Sequence, residues 1–181
     1  MALPTREKAK ELLFEKVKDE YQRKHSEMVA NAMEAYAKKY SEDVELWYIT
    51  GLLHDIDYYA FPTEHPATSV VWFKEWGYPE DLIHAVESHA FKRTNVKPQT
   101  KIAKTLIACD EMSGLLYAYS LMRPTGFDGM EVKSVKKKFK DKSFAAKVDR
   151  SDIQFGMDEL GVEFNDHVEL LISVFSKNAT I

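Results

Sequence analysis

Cysteine is all but missing: Cys109 is the only one in 181 residues. That excludes a disulfide framework and a zinc site built from cysteines. Glycine (7) and proline (6) are scarce, and strand-like alternation of apolar and polar residues is almost absent, which argues against a turn-rich β-architecture. No apolar run approaches the roughly 18 residues of a membrane span, and the charged start Arg6-Glu7-Lys8 does not read as a secretion signal. The expectation is a soluble, cytoplasmic protein with no membrane partner. Surplus positive charge is missing as well. With 25 Lys plus Arg against 29 Asp plus Glu, the formal charge is −4, which speaks against general nucleic-acid binding. What the chain does have is 45% hydrophobic residues and six histidines. A chain of this length buries about 70% of its unfolded surface, so it needs no staple to fold.

Helical spacing recurs along the sequence. Ala9, Leu12, Leu13 and Val17 share one face of a first helix from Thr5 to about Tyr21, and Val29, Met33, Tyr36, Ala37 and Tyr40 mark a second, opened by His25. A third runs from about Val44 to His54 and breaks into a loop at residues 57–62. Pro66 suits the first turn of a fourth helix that Gly77 stops, and Pro79 opens a fifth. The apolar stretch Ile102–Met122 gives a sixth, bent near Gly114. Shorter segments follow, with Ser151 or Asp152 as a cap and Gly161 as a stop, and a last helix spans about Asn165–Ser176. The spacing predicts an all-α chain of about seven to nine helices in one domain, residues 1–181, without repeats.

Charge is unevenly spread. Residues 131–150 carry eight basic side chains and three acidic ones, so this segment is +5 and the remainder −9. A lysine run is ordinarily a solvated helix face. Interleaved with Ser134, Phe139, Ser143 and Phe144, it also suits an anion-binding surface, with Lys133, Lys136 and Lys137 facing a phosphate ester.

The most informative stretch is His54-Asp55-Ile56-Asp57 at the end of the apolar helix Leu46–Leu53. Such a helix pushes adjacent imidazole and carboxylate groups toward the interior, where they are costly unless paired or bound to a metal. One His-Asp pair is a weak signal. This one is accompanied by His25, by His65 before Pro66, by His89 late in the fifth helix, and by Asp110 interrupting the apolar run Leu106–Cys109. Imidazole and carboxylate together suit zinc, manganese, iron or nickel better than calcium.

The order H…HD…H…H…D, centred on Gly51-Leu52-Leu53-His54-Asp55-Ile56-Asp57, resembles the HD superfamily of metal-dependent phosphohydrolases, and within it the two-metal members. The stretch Asp110–Leu115, with Arg123-Pro124 and the lysine segment after it, resembles a small bacterial branch of predicted hydrolases. The resemblance covers about residues 24–123, the metal core, leaving the basic segment and C-terminal helices in 124–181. It implies a compact HD-type bundle in which His25, His54, Asp55 and Asp110 hold one metal. Asp55 then bridges to a second, bound also by His65 and His89. One or two divalent ions (Mn, Fe, Ni, Zn, Co or Mg) would serve a metal-activated hydroxide that attacks a phosphomonoester or phosphoanhydride such as a nucleotide.

The chain lacks the lysine that many two-metal members carry soon after the HD pair. Asp57 stands in that neighbourhood, as a proton relay in catalysis, a group ordering a metal ligand, or a simple turn cap. Arg93, four residues after His89, is a candidate for substrate phosphate. A di-iron oxygenase of a small polyol or anionic substrate and a non-enzymatic metal-binding module are the competing readings. Homo-oligomerisation is left open. His84, about 140° from His89 on a helix, His167 and Cys109 read as packing or surface residues.

Overall fold

A computed structural model describes residues 3–178. Its ten helices are α1 (Arg6–Lys16), α2 (Glu20–Tyr40), α3 (Val44–Leu53), α4 (Ala67–Glu75), α5 (Glu80–His89), α6 (Phe91–Thr94), α7 (Lys101–Ser120), α8 (Val132–Lys140), α9 (Arg150–Leu160) and α10 (Phe164–Lys177). No strand occurs among the described residues, so the fold is all-α as the periodicity predicts. The count passes nine because of α6, a single turn too short for periodicity to register. Among the described residues no helix is long and apolar enough to cross a membrane.

Three boundaries differ from the sequence expectation, each for a local reason. Helix α1 stops at Lys16 because Val17 is extended (φ −106°, ψ 118°). Asp19 then accepts the Gln22 N–H at 2.8 Å and starts α2, so His25 lies in the second turn of that helix instead of opening it. Helix α9 is capped by Asp149, which accepts the Ser151 N–H at 2.8 Å, and not by Ser151 or Asp152. Helix α7 continues through Gly114 as one element.

The chain divides into two compact units, the first ending at Leu106 and the second starting at Ile107, within α7. In the first, Leu13, Ile49, Leu52, Leu53, Ile56, Phe73, Leu82 and Val86 form the centre of the core. Full burial of side chains of this size contributes roughly 1.5–3 kcal/mol each. Gly51 sets the approach of α3 to α2: a Cβ there would stand 2.8 Å from the Ala30 Cα and 2.9 Å from its nitrogen. Arg6 ties α1 to its neighbours, with its Nη2 2.7 Å from Glu45 and its Nη1 2.9 Å from Glu34. In the second unit Gly156 does for α9 what Gly51 does for α3, its absent Cβ falling 2.7 Å from the Ala108 Cα. His167 is fully buried there, with Nε2 2.8 Å from the Ala108 carbonyl oxygen, a packing histidine and not a surface one. On α8, Val135 is buried while Lys133, Lys136 and Lys137 are exposed.

Candidate metal centre

Helix α3 is buried along most of its length, at Trp47, Ile49, Thr50, Gly51, Leu52 and Leu53, so its C-terminal end opens inside the protein. His54 caps that end and is 0% exposed. Free carbonyls at the helix terminus need donors, and His54 supplies one: its Nδ1–H lies 2.8 Å from the Gly51 oxygen. His89 repeats the device at the end of α5, donating from Nδ1 to the Val86 carbonyl three residues back. A carbonyl only accepts, so both rings carry a hydrogen on Nδ1, and Nε2 is the atom left to ligate a metal.

The loop between α3 and α4 returns His65 to the same place. Its turns are closed by the Phe61 N–H on the Asp57 carbonyl at 2.8 Å and the His65 N–H on the Phe61 carbonyl at 2.9 Å. His65 Nδ1 donates to Asp57 Oδ1 at 2.7 Å, which leaves its Nε2 directed 3.2 Å from the Nε2 of His89. Both ring nitrogens also face Asp55 Oδ1, at 3.3 Å from His65 and 3.4 Å from His89. The other oxygen of Asp55, Oδ2, lies 3.4 Å from His54 Nε2. One carboxylate thus turns Oδ1 to His65 and His89 and Oδ2 to His54.

Two donor clusters result. Asp55, His65 and His89 offer atoms that all lie within 4.8 Å of one another, and so do His25, His54, Asp55 and Asp110. Asp110 is half-buried on α7, one turn past Leu106. All six metal-ligand residues expected from the sequence therefore fall in one or the other cluster. The donor chemistry fits a divalent cation: His54, His65 and His89 each use Nδ1 for a bond elsewhere and turn Nε2 toward the Asp55 carboxylate, a set of imidazole nitrogens and carboxylate oxygens that such ions favour. Burial alone would push the Asp55 carboxyl up. The charge and hydrogen bonds of His54, with His89 and His65, outweigh it and hold the group well below the usual carboxylate range.

The remaining candidates are placed as follows. Asp57 is 0% exposed. Arg93 is exposed, and its Nη1 donates to the carbonyl of Pro62 at 2.6 Å and, more distantly, to that of His65 at 3.4 Å, latching the loop that carries His65. Lys133, Lys136 and Lys137 stand on α8 in the second unit. His84 accepts the Gln99 N–H at 3.1 Å and takes no part in either cluster. Cys109 is fully buried, and burial, then the Asp110 charge, pushes its thiol up, so it is no nucleophile. Glu111 accepts the Asp149 N–H at 3.1 Å at the start of α9; burial, then Asp110, pushes its carboxyl up to about 8.

Sequence reading missed three contributors. Tyr58 sets its ring edge-on to His65 at 5.2 Å, and the carbonyls of Gly51 and Val86 fix two ring orientations. The carbonyls had a signal: each lies three residues before a histidine at a helix end.

Comparison with known proteins agrees with this geometry. The chain finds no match among curated proteins and none among solved structures. The family model of the HD domain matches residues 23–115, half of the chain, a span that contains every residue of both donor clusters. That match spans half of the chain and includes the paired His54-Asp55, and the chain belongs to the HD-domain family.

Proposed function

We propose that this protein is a metal-dependent phosphohydrolase that cleaves a phosphomonoester or phosphoanhydride, with nucleotides as the first substrates to try. Residues His25, His54, Asp55 and Asp110 would hold one ion, and Asp55, His65 and His89 a second. The observation that carries the reading is Asp55, whose two oxygens face different imidazole groups as a bridging carboxylate must. Bound metal supplies a Lewis acid for the phosphoryl oxygen and a water whose pKa falls to about 7. The chain's own part is to hold Asp55 ionised, to keep the imidazoles in the ligating tautomer, and to set a cation beside the site. Arg93, bonded to the backbone of His65 itself, supports an anionic substrate, and the exposed Lys133, Lys136 and Lys137 are further candidates for its phosphate. A reducing cytoplasm suits a chain with one buried thiol.

The test is a phosphate-release screen over nucleotides and sugar phosphates after loading with Mn²⁺, Co²⁺, Ni²⁺, Zn²⁺, Fe²⁺ or Mg²⁺, with Asp55→Ala as control. Release that needs metal and disappears with the substitution is expected. Protein that takes up no metal and releases no phosphate would sink the reading. Iron-dependent oxygen consumption without phosphate release would replace it with an oxygenase.

A further inference from the structure

The three histidines that turn Nε2 toward Asp55 are not held alike. His54 and His89 each end a helix and bond a carbonyl three residues earlier. His65 lies in a loop, with no helix end behind it. Its Nδ1 meets a side chain instead, Asp57 Oδ1 at 2.7 Å. The second oxygen of Asp57 accepts the Ser69 N–H at 2.9 Å. That N–H belongs to the first turn of α4, whose own cap, Pro66, makes no side-chain cap bond. An early N–H of a helix needs an acceptor from outside it, and Asp57 provides it from twelve residues upstream.

From this we infer that Asp57 is a positioning residue: one buried carboxylate caps α4 and fixes the His65 ring with its hydrogen on Nδ1, making Nε2 available to the second metal. This rests on the metal-centre reading above and assigns Asp57 a role in it other than proton relay. A relay must exchange protons with the reacting atoms, whereas Asp57 is 0% exposed and has each oxygen engaged. Carboxylates that orient a metal-bound imidazole in this way typically matter roughly 10–100-fold in metal affinity.

The discriminating variant is Asp57→Asn, nearly equal in size. Asparagine has one acceptor oxygen for two donors. If that oxygen keeps the Ser69 N–H, the amide NH₂ meets His65 Nδ1, which must then accept. The ring hydrogen moves to Nε2, and Nε2 can no longer ligate. Calorimetric titration with Zn²⁺ should give two equivalents for the wild type. For D57N it should show one site unchanged and the other roughly 10–100-fold weaker. In an H65A background, adding D57N should change Zn²⁺ binding no further, because the residue acts through His65. Two undiminished sites in D57N, or an additive loss in the double variant, would overturn the inference.

Nitrogen-15 NMR of the wild type reads the same point without any substitution, and so decides the matter even if D57N does not fold. The expected result is a hydrogen on His65 Nδ1 with and without Zn²⁺; an Nδ1 that carries no hydrogen refutes the assignment. A wild type that binds no Zn²⁺ while keeping the Nδ1 hydrogen counts against the metal-centre reading and leaves the Asp57–His65 bond standing.

Discussion

Replacing Gly51 by alanine tests how the fold builds the site, because the same substitution at Gly114 should act in the opposite direction. Both glycines are inside helices, where alanine is intrinsically better by about 1 kcal/mol. At Gly114 a Cβ would meet only Val148 Cγ2, at an ordinary 3.7 Å, so that gain should survive. At Gly51 the new carbon would lie 2.8 Å from Ala30 Cα, 2.9 Å from Ala30 N and 2.9 Å from Met33 Cγ. The methionine can swing aside, but the α2 backbone cannot, and the helices must separate. Overpacking costs about 1–3 kcal/mol, and a backbone clash belongs at the upper end. Subtracting the propensity gain leaves a loss of about 2 kcal/mol.

For a domain of this size each kcal/mol moves Tm by about 2–4 °C. Thermal melts of metal-free protein should therefore place G51A about 4–8 °C below wild type and G114A about 2–4 °C above it. Urea midpoints should move in the same directions at constant m, which keeps the comparison in a two-state frame. G51A should also bind Zn²⁺ more weakly, since His54 rides on the end of α3 and His25 on α2. A G51A protein as stable as wild type, with unaltered Zn²⁺ affinity, would refute the claim that contact at Gly51 sets the spacing of the donor residues.

Saturating Zn²⁺ should stabilise the wild type, because metal binds folded donors far better than an open chain; at 100 times Kd a single site contributes about 2.7 kcal/mol. A melt unmoved by Zn²⁺ and by its removal with chelator would refute this. Arg6→Ala should cost about 1 kcal/mol, a modest figure because the Arg6–Glu45 pair is partly solvated, and added salt should narrow the difference; equal urea midpoints at low salt would count against it. Cys109 should resist thiol reagents in native protein and react at the rate of unfolding, given its complete burial. Fast stoichiometric labelling under native conditions would contradict that burial.

Three of the donor residues were legible because each violates a local rule, and His25, His65 and His89 because they accompany those three in order. Polar His54 and Asp55 end an apolar helix, and Asp110 breaks an apolar run, so the cost of burying them already called for a partner. Their mutual distances were not legible, since these come from helices brought together by contacts such as Gly51 on Ala30. Arg93 shows where spacing fails. Four residues after His89 implies a shared helical face only if the helix continues. Helix α5 ends at His89, and Ala90 leaves it at φ −95°, ψ 41°. The guanidinium instead reaches across 31 positions to the Pro62 carbonyl. His84 is the converse case, because it lies within the helix where the angular argument holds, and its ring bonds Gln99 outside the donor clusters.

Asp57 marks the remaining limit. Its sequence neighbourhood is equally consistent with a turn cap, a proton relay or a support for a ligand, because an aspartate two residues after a metal ligand suits all three. What separates them is the pair of partners, His65 Nδ1 and the Ser69 N–H, and one of these is a backbone group that no side-chain pattern can advertise. The same physics explains why His54 and His89 need no such residue: a helix terminus supplies spare carbonyls at a fixed offset, whereas a loop histidine has none. Within this site a ring at a helix end can be oriented by its own segment. A ring in a connecting loop takes its orientation from a charged side chain, and its bond to the metal is then the one a single conservative substitution can remove.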